Sequence, residues 1–197
     1  MYRPSWFWSA LLVGALTFAA PPTMAADLFE LDGNPAQDAA TATPEDWATL
    51  YDGGANTGGL SVAFTGIRPD PVGETIFGGG NKDIQDITKW SWKNGAVPDK
   101  NEISTAFAAA YQHDGDLVVY FGADRFANTG DAYLGFWFFQ ERVTLNPNGK
   151  FNGAHQVRDI LVLINYPQGA GALPQIQVLE WNPAMEDVGD NLHLLFS

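Results

Sequence analysis

The apolar positions of this chain fall mostly in short runs, some alternating with polar residues and some unbroken, separated by Gly, Pro, Asn and Asp. That is the pattern of β-strands and their turns. The densest stretch is Asp116 to Glu141, DLVVYFGADRFANTGDAYLGFWFFQE, where two apolar and aromatic runs flank a polar turn. Runs apolar on both faces are expected to be central strands, and these two are expected to pair with each other. Leu28 to Leu31, Leu60 to Thr65, Glu74 to Phe77, Ile160 to Tyr166, Ile176 to Trp181 and Leu192 to Phe196 read as further strands. Ile87 to Trp92, ITKWSW, alternates with Thr88, Trp90 and Trp92 on one side, as a strand with a tryptophan-bearing face would.

Two helical segments are expected. Thr43-Pro44-Glu45-Asp46 offers a hydroxyl cap, a first-turn proline and acids at the positive end of the dipole, and so predicts a short helix through Tyr51, ended by Gly53-Gly54. Pro98-Asp99-Lys100-Asn101-Glu102 resembles a capping box. Ile103, Phe107, Ala110 and Tyr111 then share one helical face, and Asp114-Gly115 reads as the stop. Asn146-Pro147-Asn148-Gly149 is a turn with Asn-Gly chemistry. About eight strands without βαβ alternation predict a mainly β fold: a jelly-roll-like (concanavalin-like) antiparallel β-sandwich with one or two short helices.

The amino terminus changes the compartment. Arg3, an apolar segment from Trp6 to Ala20, Pro21-Pro22 and small residues at Thr23 and Ala25 make a secretory signal peptide over residues 1–25, cut after Ala25. The apolar run is shorter than the roughly 20 residues that span a bilayer and is broken by Gly14, so no membrane span is expected after cleavage. Of 197 residues, 25 are removed and 172 remain, enough for a single β-sandwich domain over residues 26–197. Within it, the Pro/Ala/Asp-rich stretch from Gly33 to Thr43 reads as a mobile connection.

The formal charge is −13, and −14 once Arg3 is lost, with the acids spread along the chain. Nucleic acid and anionic lipid are poor partners for such a surface, since binding polyanions needs a basic patch. Calcium is a reasonable one. The absence of cysteine excludes disulfides, thiol catalysis and cysteine-bearing zinc sites, and suits an exported bacterial protein better than a disulfide-stapled module.

Four words in order, FGGGNKDIQDITKWSWKNGAVPDKNEISTAFAAAY, GDLVVYFGADRFANTGDAYLGFWFFQ, GKFNGAHQVRDILVLINYPQG and IQVLEW, resemble a family of uncharacterised bacterial secreted and cell-surface proteins. The resemblance covers roughly Leu28 to Trp181. It implies a β-sandwich module at the cell surface, often joined to repeat or anchoring regions, and implies no particular activity. Arg158 stands before Asp159 where the family pattern leads one to expect glycine, which would alter that turn. Relatives continue beyond Trp181, so a truncated or freely released form is expected.

Three groups of residues carry candidate chemistry. Asp83, Asp86, Asp124, Asn128 and Asp131 are hard oxygen donors in glycine-rich loops, the ligand type calcium prefers; the alternative is that they cap turns or pair with Lys82 or Arg125. Trp90, Trp92, Tyr120, Trp137 and Trp181, with Tyr166, lie on expected strands and would form a sugar-stacking platform; the alternative is that they fill the core. Glu141 and Glu180, with Glu74, are the acids available for glycoside hydrolysis, although none sits in a strand motif that places two on one face. His113, His155 and His193 are scattered and are expected to be surface or turn residues, as are Ser61, Ser91 and Ser104. The leading expectation is therefore a secreted, non-enzymatic module of the bacterial surface or matrix that binds glycan, calcium or a surface protein. A calcium-assisted carbohydrate-active enzyme and a purely structural spacer are the alternatives.

Overall fold

The computed structural model describes residues 28–31, 45–52, 55–56, 60–71, 73–80, 82–185, 187–189 and 191–197. The expected signal peptide, the connection over 33–43 and Gly53-Gly54 lie outside the described residues. The chain is mainly β, 45 % strand and 9 % helix, and its sheets are antiparallel.

In chain order the elements are α1 (Trp47–Leu50), β1 (Tyr51–Asp52), β2 (Ala55–Asn56), β3 (Ala63–Phe64), β4 (Arg68–Pro69), β5 (Thr75–Phe77), β6 (Trp92–Asn94), β7 (Ile103–His113), β8 (Asp116–Arg125), β9 (Ala132–Phe138), β10 (Thr144–Asn146), β11 (Lys150–Asn152), β12 (Ile160–Tyr166), β13 (Gln175–Trp181) and β14 (Leu192–Phe196). Two sheets dominate. In one, β7 pairs with β8 along its whole length and with β3 and β4; in the other the order is β14-β13-β12-β9. Two-stranded sheets, β1–β2, β5–β6 and β10–β11, are separate from both.

The expected middle helix is a strand. Ile103 to His113 forms the longest strand among the described residues, and of the expected helix only Asp99–Asn101 keeps helical form, as a single 3-10 turn without a side-chain cap. Asp114-Gly115, read as a helix stop, is the two-residue turn of the β7–β8 hairpin: both residues have positive φ, 51° and 94°. An Asp-Gly pair with positive φ at both positions carries a twist that matches two antiparallel strands, which gives the alanine-rich run a partner to pair with. Burial then follows period two, with Ala109 and Tyr111 buried.

The two runs of Asp116 to Glu141, expected to pair with each other, do not: β8 pairs with β7, and β9 pairs with β12. Side chains join them instead, Phe121 of β8 lying edge-on to Phe136 and Phe138 of β9 at 4.8 and 4.9 Å between ring centres. Ile87 to Trp92 is likewise not one strand. Asp86 caps a 3-10 turn at Ile87–Lys89 by accepting from the Thr88 amide at 2.9 Å and the Thr88 hydroxyl at 2.6 Å, a local bond that competes with extended backbone. Leu28 to Leu31 is no strand either, and works by packing its Phe29 ring.

The apolar residues gather in two clusters. Phe29, Leu50, Ala109, Tyr111 and Tyr120 form one, on the β7–β8 face where Tyr120 stacks on Phe29 at 4.7 Å. Tyr111 donates its hydroxyl to the buried Glu45 at 2.5 Å, and burial with Glu45 raises the Tyr111 pKa. Leu161, Leu179, Trp181 and Leu192 form the other, with Trp137 and Ile84 packed against it.

Candidate functional site

Among the described residues, strand β9 is the end strand of its sheet, paired with β12 alone. Beside it lie the Asp99–Asn101 turn and the hairpins β5–β6 and β10–β11, and the space between is a cleft of about 790 Å³. Its walls carry the rings of Phe77, Trp92, Tyr133 and Phe151. Phe77 and Phe151 stack at 5.3 Å and 12° between planes, with the Lys82 ammonium 5.6 Å from the Phe77 ring centre. Trp92 is fixed by its indole N–H, which donates to the carbonyls of Asn146 at 2.9 Å and Lys150 at 3.0 Å and so ties β6 to β10–β11. Tyr133 is two-thirds exposed.

Polar groups share the same space: Asp70, Lys82, Lys100, Asn101, Glu102 and Asp131. Glu102 is 5 % exposed, and its Oε2 has no hydrogen-bond partner among the described residues. Flat rings beside carboxyl, amide and ammonium groups, in a concave space of this size, suit a small polyhydroxylated ligand: rings take the apolar face and polar groups the hydroxyls.

The most tightly built polar centre lies elsewhere and is closed. The His155 and Asp159 side chains are 0 % and 1 % exposed, with Nδ1 and Oδ2 3.1 Å apart. Asp159 also accepts from the backbone amides of Gln156 at 3.0 Å and Gln140 at 2.9 Å. The imidazole is boxed by Trp181, stacked at 4.1 Å, and by Trp137, Trp90 and Phe139 at 4.4, 5.3 and 5.5 Å. Burial holds the His155 pKa below 6.5, against the opposing pull of Asp159 and Asp86. The ring is therefore neutral at pH 7, with Nδ1 donating to Asp159. His155 Nε2 and Trp137 Nε1, an acceptor and a donor, lack partners among the described residues. His155, expected to be a surface or turn residue, has its side chain in the interior, because an Asp four residues on satisfies one of its nitrogens while aromatic rings cover the rest.

The sign of the pH effect follows. A histidine whose folded pKa lies below its unfolded value binds fewer protons when folded, so its contribution is complete above pH 6.5 and is lost as pH falls from there toward the folded pKa. Thermal melts between pH 7.5 and 5 are expected to show a falling Tm that His155→Gln flattens; an unchanged slope would contradict this.

The turn that presents Asp159 has Arg158 at φ 77°, in the left-handed region where glycine is at ease. Holding a residue with a Cβ there costs about 1–2 kcal/mol, and glycine adds about 0.4–1 kcal/mol of unfolded-state entropy. Arg158→Gly is therefore expected to raise stability by roughly 0.5–1 kcal/mol in denaturant unfolding; a loss would mean that the arginine side chain holds the turn.

The residues singled out from sequence are not gathered in one place. Trp90 and Trp181 belong to the His155 box, and Trp137 packs beside them. Tyr120 lies in the Phe29 cluster, and Trp92 alone of the five lines the cleft. Of the oxygen donors, Asp83 pairs with Lys82 at 3.3 Å, and Asp86 caps its turn, where the Thr88 and His155 hydrogen bonds outweigh desolvation and lower its pKa. Asp124 accepts from the Thr105 hydroxyl at 2.7 Å; Asp131 accepts from the Gln168 amide at 2.6 Å and lines the cleft; Asn128 is exposed in the loop between β8 and β9. Among the described residues no three His, Asp or Glu gather where they could hold a metal ion. Glu74 and Glu141 are exposed, and Glu180 accepts from Asn182 at 3.0 Å; Asp70, Glu102 and Asp131 are the acids at the cleft. No described helix is long and apolar enough to cross a membrane. Comparison with known proteins gives no match to a protein family, to a curated protein or to a solved structure.

Proposed function

We propose that this chain is a secreted, non-enzymatic module of the bacterial surface or matrix that binds glycan in the cleft beside β9. One observation carries the reading: four aromatic rings and a set of carboxyl, amide and ammonium groups line a single open space at the rim of a sheet. The signal-peptide pattern at the amino terminus and the resemblance to surface proteins support export. A jelly-roll-like sandwich is the architecture we favour, because the Phe121 contacts to Phe136 and Phe138 set β8 against β9 through side chains rather than through a ladder.

A glycan array probed with and without chelator tests the reading, with Tyr133→Ala and Asn101→Ala as cleft variants. Binding by the wild type and a loss of about tenfold on removing the Tyr133 ring, about 1.4 kcal/mol, are expected. A silent array, or variants that bind as the wild type does, would refute it. Signal lost in chelator alone would assign calcium a part, with Asp131 the cleft acid nearest that role.

A second reading rests on Glu102. A buried carboxyl with a free oxygen in an acid-lined cleft is the kind of group a glycoside hydrolase uses as acid or base. Release of reducing ends from a bound polysaccharide, abolished by Glu102→Gln, would favour the enzyme over the binder.

A further inference from the structure

We infer that the ligand is a linear, uncharged glycan several sugars long, which leaves the cleft over Tyr133 and continues along the open face of the β9–β12–β13–β14 sheet. This rests on the cleft reading and extends it.

The second half of the path is a trough of about 670 Å³ on that sheet. Its floor is set by register. Tyr133 pairs with Asn165, and Asn165 with Gln175, so the three side chains form one row across three strands on one face. The next row on that face is Gly135, Leu163 and Gln177. Gly135 puts no side chain beside Tyr133, and it lines the cleft rather than the trough. The walls are aromatic: Tyr133 and Phe196 are 67 % and 64 % exposed. Farther along the same face the row becomes Trp137, Leu161 and Leu179, and the sheet is closed by the His155 box and the Leu161 cluster. The face thus changes from apolar and covered to amide-rich and open within one strand length.

Three features choose the occupant. Tyr133 lines both the cleft and the trough, so one ligand can touch both, with this ring at the crossing. No Asp, Glu, Lys, Arg or His side chain lines the trough; its polar side chains are the amides of Asn165, Gln175 and Gln177 and the hydroxyls of Tyr133 and Ser197, which recognise sugar hydroxyls without charge. Asn165 donates to Gln175 at 3.3 Å, which orients the two amides toward one another and leaves each a further group to offer. A chain of formal charge −13 repels uronate and sulfate polymers, so a neutral polysaccharide fits better than an acidic one.

Affinity electrophoresis in gels containing mixed-linkage β-glucan, arabinoxylan, galactomannan or, as the acidic control, alginate identifies the retained polymer. Calorimetry with a disaccharide and a hexasaccharide cut from that polymer then tests the path. The hexasaccharide is expected to bind at least tenfold more tightly. The double variant Gln175→Ala/Gln177→Ala, checked by an unchanged melt, is expected to lower hexasaccharide affinity to the disaccharide level and leave disaccharide affinity alone. Equal affinities for the two lengths, an unaffected hexasaccharide in the double variant, or retention by alginate alone would overturn the inference while leaving a cleft binder. Retention by none of the four would remove the cleft reading and this inference together.

Discussion

Asp159→Ala is expected to lower the unfolding free energy by about 3–5 kcal/mol, the largest effect of any single polar substitution in this chain. Asp159 is the acceptor for four donors: the His155 imidazole, the backbone amides of Gln156 and Gln140, and, at 3.5 Å, the Gln140 side-chain amide. Removing it does more than delete these bonds. It strands those donors in a site where Asp159 is 1 % exposed, and a buried donor left unpaired costs about 1–3 kcal/mol by itself. Its own backbone amide and carbonyl bind Gln156 and Trp181, so the turn and β13 loosen together. For a domain of this size the loss corresponds to a fall in Tm of roughly 10–15 °C. Asp159→Asn keeps the volume but turns an amide NH₂ toward donors, and should fall between the two. An alanine variant that melts within a few degrees of wild type would show that the His155 centre is incidental to stability.

Trp90→Ala is expected to cost a similar amount, about 3–5 kcal/mol, for a different reason. The indole is 4 % exposed and in ring contact with Phe77, Trp137, Phe139, Phe151 and His155. It therefore bridges the interior around His155 to Phe77 and Phe151, two of the four rings that wall the cleft. Its N–H donates to the carbonyls of Lys82 at 2.7 Å and Gln85 at 2.9 Å, holding the 3-10 segment that leads into β6. Trp90→Phe keeps much of the apolar volume and loses only the N–H, so about 1–2 kcal/mol of the total should remain with it. Chemical denaturation of the pair separates packing from hydrogen bonding. If phenylalanine costs as much as alanine, the two carbonyl bonds carry the site and the ring contacts do not.

These two residues also show what was legible beforehand. Strands β12, β13 and β14 fall within a residue of the runs that suggest them, because each is apolar enough to need burial and is bounded by turn residues. The Asn146 to Gly149 turn forms as its chemistry demands, with Gly149 at φ 80° and its amide on the Asn146 carbonyl. Strand β7 was misread because alanine favours helix locally, and only pairing with β8 and its Asp-Gly turn decides otherwise. Trp90 was visible as an aromatic, but nothing local tells a ring that faces solvent from one that faces five other rings.

The cleft was less legible still. Glu102 reads as a helix cap, Tyr133 as one aromatic in an apolar run, and Phe77 as the end of a short strand. They share a wall only because three separate segments are brought against the edge of β9. The exposed position of Tyr133 between buried Ala132 and Leu134 is a period-two signal, and it alone could have marked that ring as a surface group. The His155–Asp159 spacing was equally in plain view, without any sign that the pair would be sealed under tryptophan.

Contact of sugar with the rings beside β9 is read directly by the indole region of a ¹⁵N–¹H correlation spectrum. When the retained oligosaccharide is added, the Trp92 indole signal should shift in proportion to occupancy, while those of Trp90 and Trp181, enclosed around His155, stay in place. Movement of the enclosed indoles with Trp92 unmoved would contradict the proposed site.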